Sequence, residues 1–178
     1  MEINYKYILT IDRFYINLLD LIDLIREILP KNHDKLKSVI ILAKEYVKNL
    51  SSGEKETFIQ NFISKSEPYW NDDIYNKKTN FFIKNGFIFF PSIGNGLKVI
   101  NEIIGNEKII SNDDRDEVWE YIHSFVKQSI KYIHEKRKPT HVLYHNKYQK
   151  VYSEDFMDKI PLSIHAVKWD VSLTWTKE

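Results

Sequence analysis

Residues 111–138 read SNDDRDEVWEYIHSFVKQSIKYIHEKRK, and the rest of the chain is organised around them. Ser111 followed by Asp114 marks a helix start, with Asp113, Asp114, Asp116 and Glu117 placed where the positive end of the helix dipole favours carboxylates. Val118, Trp119, Ile122, Phe125, Val126, Ile130 and Ile133 then recur at three- and four-residue spacing, which lays them on one helical face. Such a face must be buried. Lys136, Arg137 and Lys138 ahead of Pro139 form a stop signal, because cations suit the negative end of the dipole and proline cannot continue the helix.

Working toward the N-terminus, three further helices are expected. Thr10 is read as the cap of a helix to about Leu29, carrying Phe14, Leu18, Leu21, Ile22 and Ile25 inward and halted by Pro30. Asn32 or Asp34 opens the next, with Leu36, Val39, Ile40, Ala43, Tyr46, Val47 and Leu50 following the helical period as its apolar side. Ser51-Ser52-Gly53-Glu54 is a capping-box pattern for the third, which carries Phe58, Ile59, Phe62 and Ile63. Short connections imply antiparallel packing. Glu67-Pro68 is expected to open a fourth helix holding Trp70, Ile74, Phe81 and Phe82. Asn85-Gly86 fits either a helix end or a two-residue hairpin, the helix end being the preferred reading. Ser92-Ile93-Gly94-Asn95-Gly96 leads into a helix with Leu97, Val99, Ile100, Ile103 and Ile104.

Past Lys138 the pattern changes. His141 to Tyr152 alternates around Asn146-Lys147 and reads as a hairpin, and Val167, Trp169, Val171, Leu173 and Trp175 fall on one face of a strand. The expected fold is therefore mainly α with an α+β character: an antiparallel helical bundle over about 1–138, and a small antiparallel β-sheet over about 141–178, within a single domain of 178 residues.

A net charge of +1 gives no global attraction to nucleic acid or an anionic membrane, so such a partner would need a local patch. The absence of cysteine removes thiol catalysis, disulfides and Cys-based zinc sites. MEINYKYILT lacks the features of a signal peptide and no run of eighteen apolar residues occurs, so a cytoplasmic protein without a membrane span is expected.

No motif assigns catalytic, cofactor or metal-ligating residues. Gly94-Asn95-Gly96 with Lys98 sits where a phosphate loop would, yet Val99 occupies the place of the third glycine of a dinucleotide loop. His141 and His145 have a zinc-like spacing, but four residues of strand span roughly 13 Å, too far for one ion. His123 and His134 stand eleven residues apart on the long helix, again too far. Asp72-Asp73 is the carboxylate pair without an evident structural cause. The remaining candidate is basic: Lys127, Lys131, Lys136, Arg137, Lys138, Lys147 and Lys150, interleaved with Tyr132, Tyr144, Tyr148 and Tyr152, suit a phosphate backbone and stacked bases.

Over Trp70 to Ile133, the order of Ile74, Phe81 and Phe82, then Pro91-Ser92-Ile93-Gly94, Ile109-Ile110-Ser111, Arg115 and Val118-Trp119-Glu120-Tyr121-Ile122 resembles a family of uncharacterised proteins of large cytoplasmic DNA viruses. In that family a capped helix carries an Ile-Trp-Lys-Tyr-Leu-like phrase, from which Val118 and Glu120 depart. The resemblance implies a viral protein made in the cytoplasm of an infected cell, and brings no activity or site residue with it. The function expected is thus that of a non-enzymatic interaction or structural protein with a protein partner, with homo-oligomerisation through the terminal sheet a further expectation. The alternative is a nucleic-acid or polyanion-binding module using the basic strip.

Overall fold

The computed structural model describes residues 2–32, 34–85, 95–137 and 168–171, with side chains from residues 10–32, 34–85, 99–136 and 168–171. Helices α1 (Glu2–Ile28), α2 (Asp34–Lys48), α3 (Ser52–Ser66), α4 (Asn80–Lys84), α5 (Asn95–Ile104) and α6 (Asn112–Arg137) follow one another along the chain.

Helix α6 takes the central place. Val118, Trp119, Ile122, Phe125, Val126, Ile130 and Ile133 are all buried, as their spacing predicts, and Ser129 and Tyr132 are buried with them. Burial therefore extends beyond one stripe, because α1, α3 and the turn after α3 all pack against this helix. The start is set by Ser111, whose hydroxyl accepts the Asp114 backbone N–H at 3.1 Å.

Cross-helix pairs give the directions. Thr10 Oγ1 donates to Glu135 Oε1 at 3.1 Å and Asn17 Nδ2 to Ser124 Oγ at 3.2 Å, so α1 and α6 are antiparallel. Lys44 reaches Asp23 and the Tyr15 hydroxyl reaches the Lys48 carbonyl, so α2 runs back along α1. Glu56 with Lys136, Gln60 with Tyr132 and Phe62 with Phe125 set α3 antiparallel to α6. Phe14, Phe62 and Phe125 meet where α1, α3 and α6 converge, with ring centroids 4.8–5.8 Å apart.

Local sequence explains the starts of α3 and α6. Ser51 and Glu54 complete a reciprocal capping box, each side chain satisfying the other residue's backbone N–H. Thr10 departs from its expected role: α1 already starts at Glu2, so Thr10 is an interior helical residue that ties α1 to α6. The single helix expected from Glu67 is also corrected. Pro68 sits in a 3₁₀ turn over Glu67–Tyr69, a π-helical turn covers Trp70–Ile74, and Lys77 takes a positive φ of 52° before α4. The wider π turn lets Trp70 and Ile74 be buried together, and Trp70 Nε1 donates to the Ser66 hydroxyl at 2.8 Å. Gly105, just past α5, lies so close to Ile83 of α4 that a Cβ there would meet the isoleucine at 2.9 Å.

Among the described residues there is no strand. The terminal strand reading is corrected over 168–171: Lys168 and Trp169 are helical and Asp170 has a φ of 49°, a left-handed conformation that aspartate tolerates and that ends an extended run. The alternation itself marks burial correctly here, since Trp169 is buried and Val171 half-buried while Lys168 and Asp170 are exposed. The hairpin over 141–152 and the rest of the expected sheet lie outside the described residues.

Candidate functional site

Of the seven cations in the basic strip expected from the sequence, Lys127, Lys131 and Lys136 have described side chains, and Lys136 stands apart from the other two. Lys127 is exposed on α6 and Lys131 follows one turn later, half-buried on nearly the same face. Lys136 points elsewhere. Five residues at about 100° each turn it some 140° from Lys131, toward α3, where its Nζ lies 2.8 Å from Glu56 Oε1. Tyr132 does not offer a stacking face either, because it is buried, donating to Glu56 Oε1 at 2.9 Å and accepting from Gln60 Nε2 at 2.8 Å. Glu56, Gln60, Tyr132 and Lys136 thus form a clamp between α3 and α6. Arg137 closes α6, and its side chain, with Lys138, Lys147 and Lys150, lies outside the described residues. The partner acid Glu56 is 80 positions upstream of Lys136, so local sequence carries no sign of the pairing.

The acidic pair acquires a structural cause. Lys78 Nζ lies 2.8 Å from Asp72 and 3.5 Å from Asp73, and Asn76 Nδ2 donates to Asp72 Oδ1 at 3.1 Å. The hydrogen bond from Lys78 holds the Asp72 carboxyl below its ordinary range, and the same bond raises Lys78 above its own. Asp72 stays largely exposed on this turn, so the pair is an ion-paired surface bend. Among the described residues, no group of three or more His, Asp or Glu side chains converges as metal ligands. Of the glycine-bearing loop, Asn95 and Gly96 fall in the first turn of α5, and the side chain of Lys98 is outside the described residues.

A cluster that the sequence reading does not assemble lies where α6 crosses the π turn. His123 Nε2 sits 2.8 Å from the Ile74 carbonyl. A carbonyl only accepts, so Nε2 carries the proton of the neutral ring. Trp169 packs edge-on against this imidazole at 4.7 Å and against Tyr75 at 5.3 Å, and its Nε1–H donates to Asn71 Oδ1 at 3.2 Å. Lys168 Nζ rests 4.5 Å from the Tyr75 ring centroid. Trp169 is legible as a buried residue from its alternation; its partners lie 46 to 98 positions upstream, where no local signal points to them.

Burial pulls the His123 pKa below the ordinary 6.5, and the charges of Lys77 and Lys127 act in the same direction against the opposing pull of the Ile74 carbonyl and Glu120. The unfolded chain then binds more protons than the native one as pH falls through that range, so stability contributed at neutral pH is lost on acidification. Replacing His123 by Gln keeps an N–H for Ile74 and removes the titration. Urea midpoints measured between about pH 7.5 and pH 5.5 should fall more steeply for the parent than for His123→Gln.

Apolar side chains stand in solvent on α2. Leu42 is 64% exposed, and Tyr46 and Val39, expected on the apolar side, depart from it: Tyr46, one turn after Leu42, is 44% exposed and Val39 half-buried, because the buried face is centred on Leu36, Ile40, Ala43 and Val47. At 100° per residue these three share one stripe, flanking the buried face of Leu36, Ile40, Ala43 and Val47. On the opposite flank a shallow groove between α1 and α2 is lined by Ile40, Ile41 and charges of both signs, with Lys44 bridged to Asp23 at 2.6 Å. No helix of the described residues is long and apolar enough to cross a membrane.

No family model, no curated protein and no solved structure matches the chain.

Proposed function

We propose that this protein is a non-enzymatic interaction protein that contacts a protein partner through the outer stripe of α2. The supporting observation is the exposure of Leu42 and Tyr46 next to Val39, on a helix whose other face is firmly buried in the core. A contiguous apolar stripe rimmed by charge is a recurrent mark of a protein contact. With the resemblance of Trp70 to Ile133 to proteins of large cytoplasmic DNA viruses, the proposed setting is the cytoplasm of an infected cell. The test is a photoreactive benzoylphenylalanine placed at Leu42, compared with one at Ser64, an exposed position on α3. Irradiated in the producing cell, position 42 should form a discrete adduct with a polypeptide that position 64 does not form; adducts at neither position, or equally at both, contradict the reading.

The competing reading is polyanion binding, and one observation favours it: Lys127 and Lys131 stand one turn apart on the same face of α6, outside the ion pairs of the described residues. Two phosphate contacts give a salt slope near −1.8, hence about a tenfold loss of affinity between 50 and 200 mM salt. Labelled DNA and RNA oligonucleotides titrated over that range separate the two readings. The interaction reading expects no saturable binding at the low-salt end, and binding that weakens about tenfold sustains the competitor.

A further inference from the structure

Residues Lys168–Val171 return to the helical body after thirty residues that follow α6, and they do so through one large side chain. Trp169 is 3% exposed while Lys168 and Asp170 on either side are exposed. A single indole inserted between two solvated neighbours is the way a short peptide anchors itself to a protein surface, where an aromatic side chain in a fitted recess carries most of the binding energy.

The recess is held by contacts that do not involve Trp169. His123 is fixed from behind by the Ile74 carbonyl at 2.8 Å. Trp119, against which His123 also packs, is set by Phe82 at 4.6 Å and Phe81 at 6.1 Å. Asn71 belongs to the π turn that buries Trp70 and Ile74, and Tyr75 is its C-terminal cap. Asn71 adds specificity, since its Oδ1 accepts the indole N–H, a donor that phenylalanine and leucine lack.

We propose that the recess formed by Asn71, Tyr75 and His123 is a binding site for a tryptophan-anchored peptide segment, which the chain itself fills with Trp169. The tethered segment excludes a free peptide, because its local concentration exceeds what can be added from outside. This site lies apart from the α2 stripe and does not depend on that reading.

The test empties the site in the full chain with Trp169→Ala and adds the nine-residue peptide of residues 165–173, HAVKWDVSL, or the same peptide with alanine in place of its tryptophan. The tryptophan peptide should shift the amide resonances of Asn71, Tyr75 and His123 saturably, with the alanine peptide weaker by about thirtyfold or more. The parent chain should show no shift at the same peptide concentrations. A folded Trp169→Ala chain without saturable shifts, or equal shifts with both peptides, overturns the proposal. If Trp169→Ala loses its dispersed spectrum, the tryptophan peptide added in excess should restore it through binding to the folded form while the alanine peptide does not; restoration by neither peptide, or equally by both, overturns the proposal.

Discussion

Trp119→Ala is expected to lower the unfolding free energy by about 3–5 kcal/mol, the range for removing a large aromatic side chain from a packed core. Trp119 is 1% exposed, and its ring lies against Phe82, Phe81 and His123. Its loss removes the surface on which α4 is seated. It also loosens the imidazole that receives Trp169, so both the core and the terminal contact suffer. Trp119→Phe should cost clearly less, because a ring of related shape still meets Phe82. Urea denaturation of the three proteins gives the comparison. A Trp119→Ala midpoint close to the parent's would mean that α4 is not packed on α6 as described.

Arg115→Met should destabilise by about 2–4 kcal/mol, through a different mechanism: two buried carbonyls lose their donors. Arg115 is only 4% exposed and each of its three nitrogens donates, Nε to the Ile104 carbonyl at 2.8 Å, Nη2 to the Ile110 carbonyl at 3.0 Å and Nη1 to Asn112 Oδ1 at 3.0 Å. The guanidinium thus caps the C-terminal end of α5, where the helix dipole favours a cation, and pins the 105–111 connection to the first turn of α6. Methionine preserves the apolar stem and satisfies no oxygen. Lysine should recover only part of the loss, since one compact ammonium cannot span three acceptors placed for a planar fork. Amide exchange in α5 and in residues 105–111 should rise selectively in Arg115→Met, whereas a uniform rise across α1 would contradict the local role.

The helical body is legible because its cues are local. In α6 the three- and four-residue recurrence names seven residues that are all buried, and the Ser111 cap and the Ser51 capping box each depend on side chains no more than three residues from the backbone they satisfy. The segment Glu67–Lys84 is not legible in the same way. Its apolar residues keep helical spacing, while Pro68, the π turn and the positive φ of Lys77 break the backbone three times to bury Trp70, Ile74, Phe81 and Phe82 together. Tertiary packing overrides a periodic pattern there.

Polar groups are where sequence reading falls short, because their meaning rests on distant partners. Lys136 and Tyr132 look like parts of a basic, aromatic strip until Glu56 and Gln60 meet them across α3. Thr10 looks like a cap until Glu135 meets it across α6. Trp169 shows its burial in the alternation of its neighbours, yet Asn71, Tyr75 and His123 become its partners only once the chain has folded.

The antiparallel pairing of α1 with α6 is the contact around which the helical body is packed. The chain has no cysteine of its own, so pairs can be introduced and cross-linked without interference. Asn17→Cys with Ser124→Cys, and Thr10→Cys with Glu135→Cys, replace side chains that touch across the two helices. Both pairs should cross-link within one chain under mild oxidation or with a short bis-maleimide. The crossed pairs, Thr10→Cys with Ser124→Cys and Asn17→Cys with Glu135→Cys, are offset along the helix axes by roughly 10 Å or more and should stay open. Efficient linkage of the crossed pairs, with the direct pairs unlinked, would contradict the antiparallel register of α1 and α6.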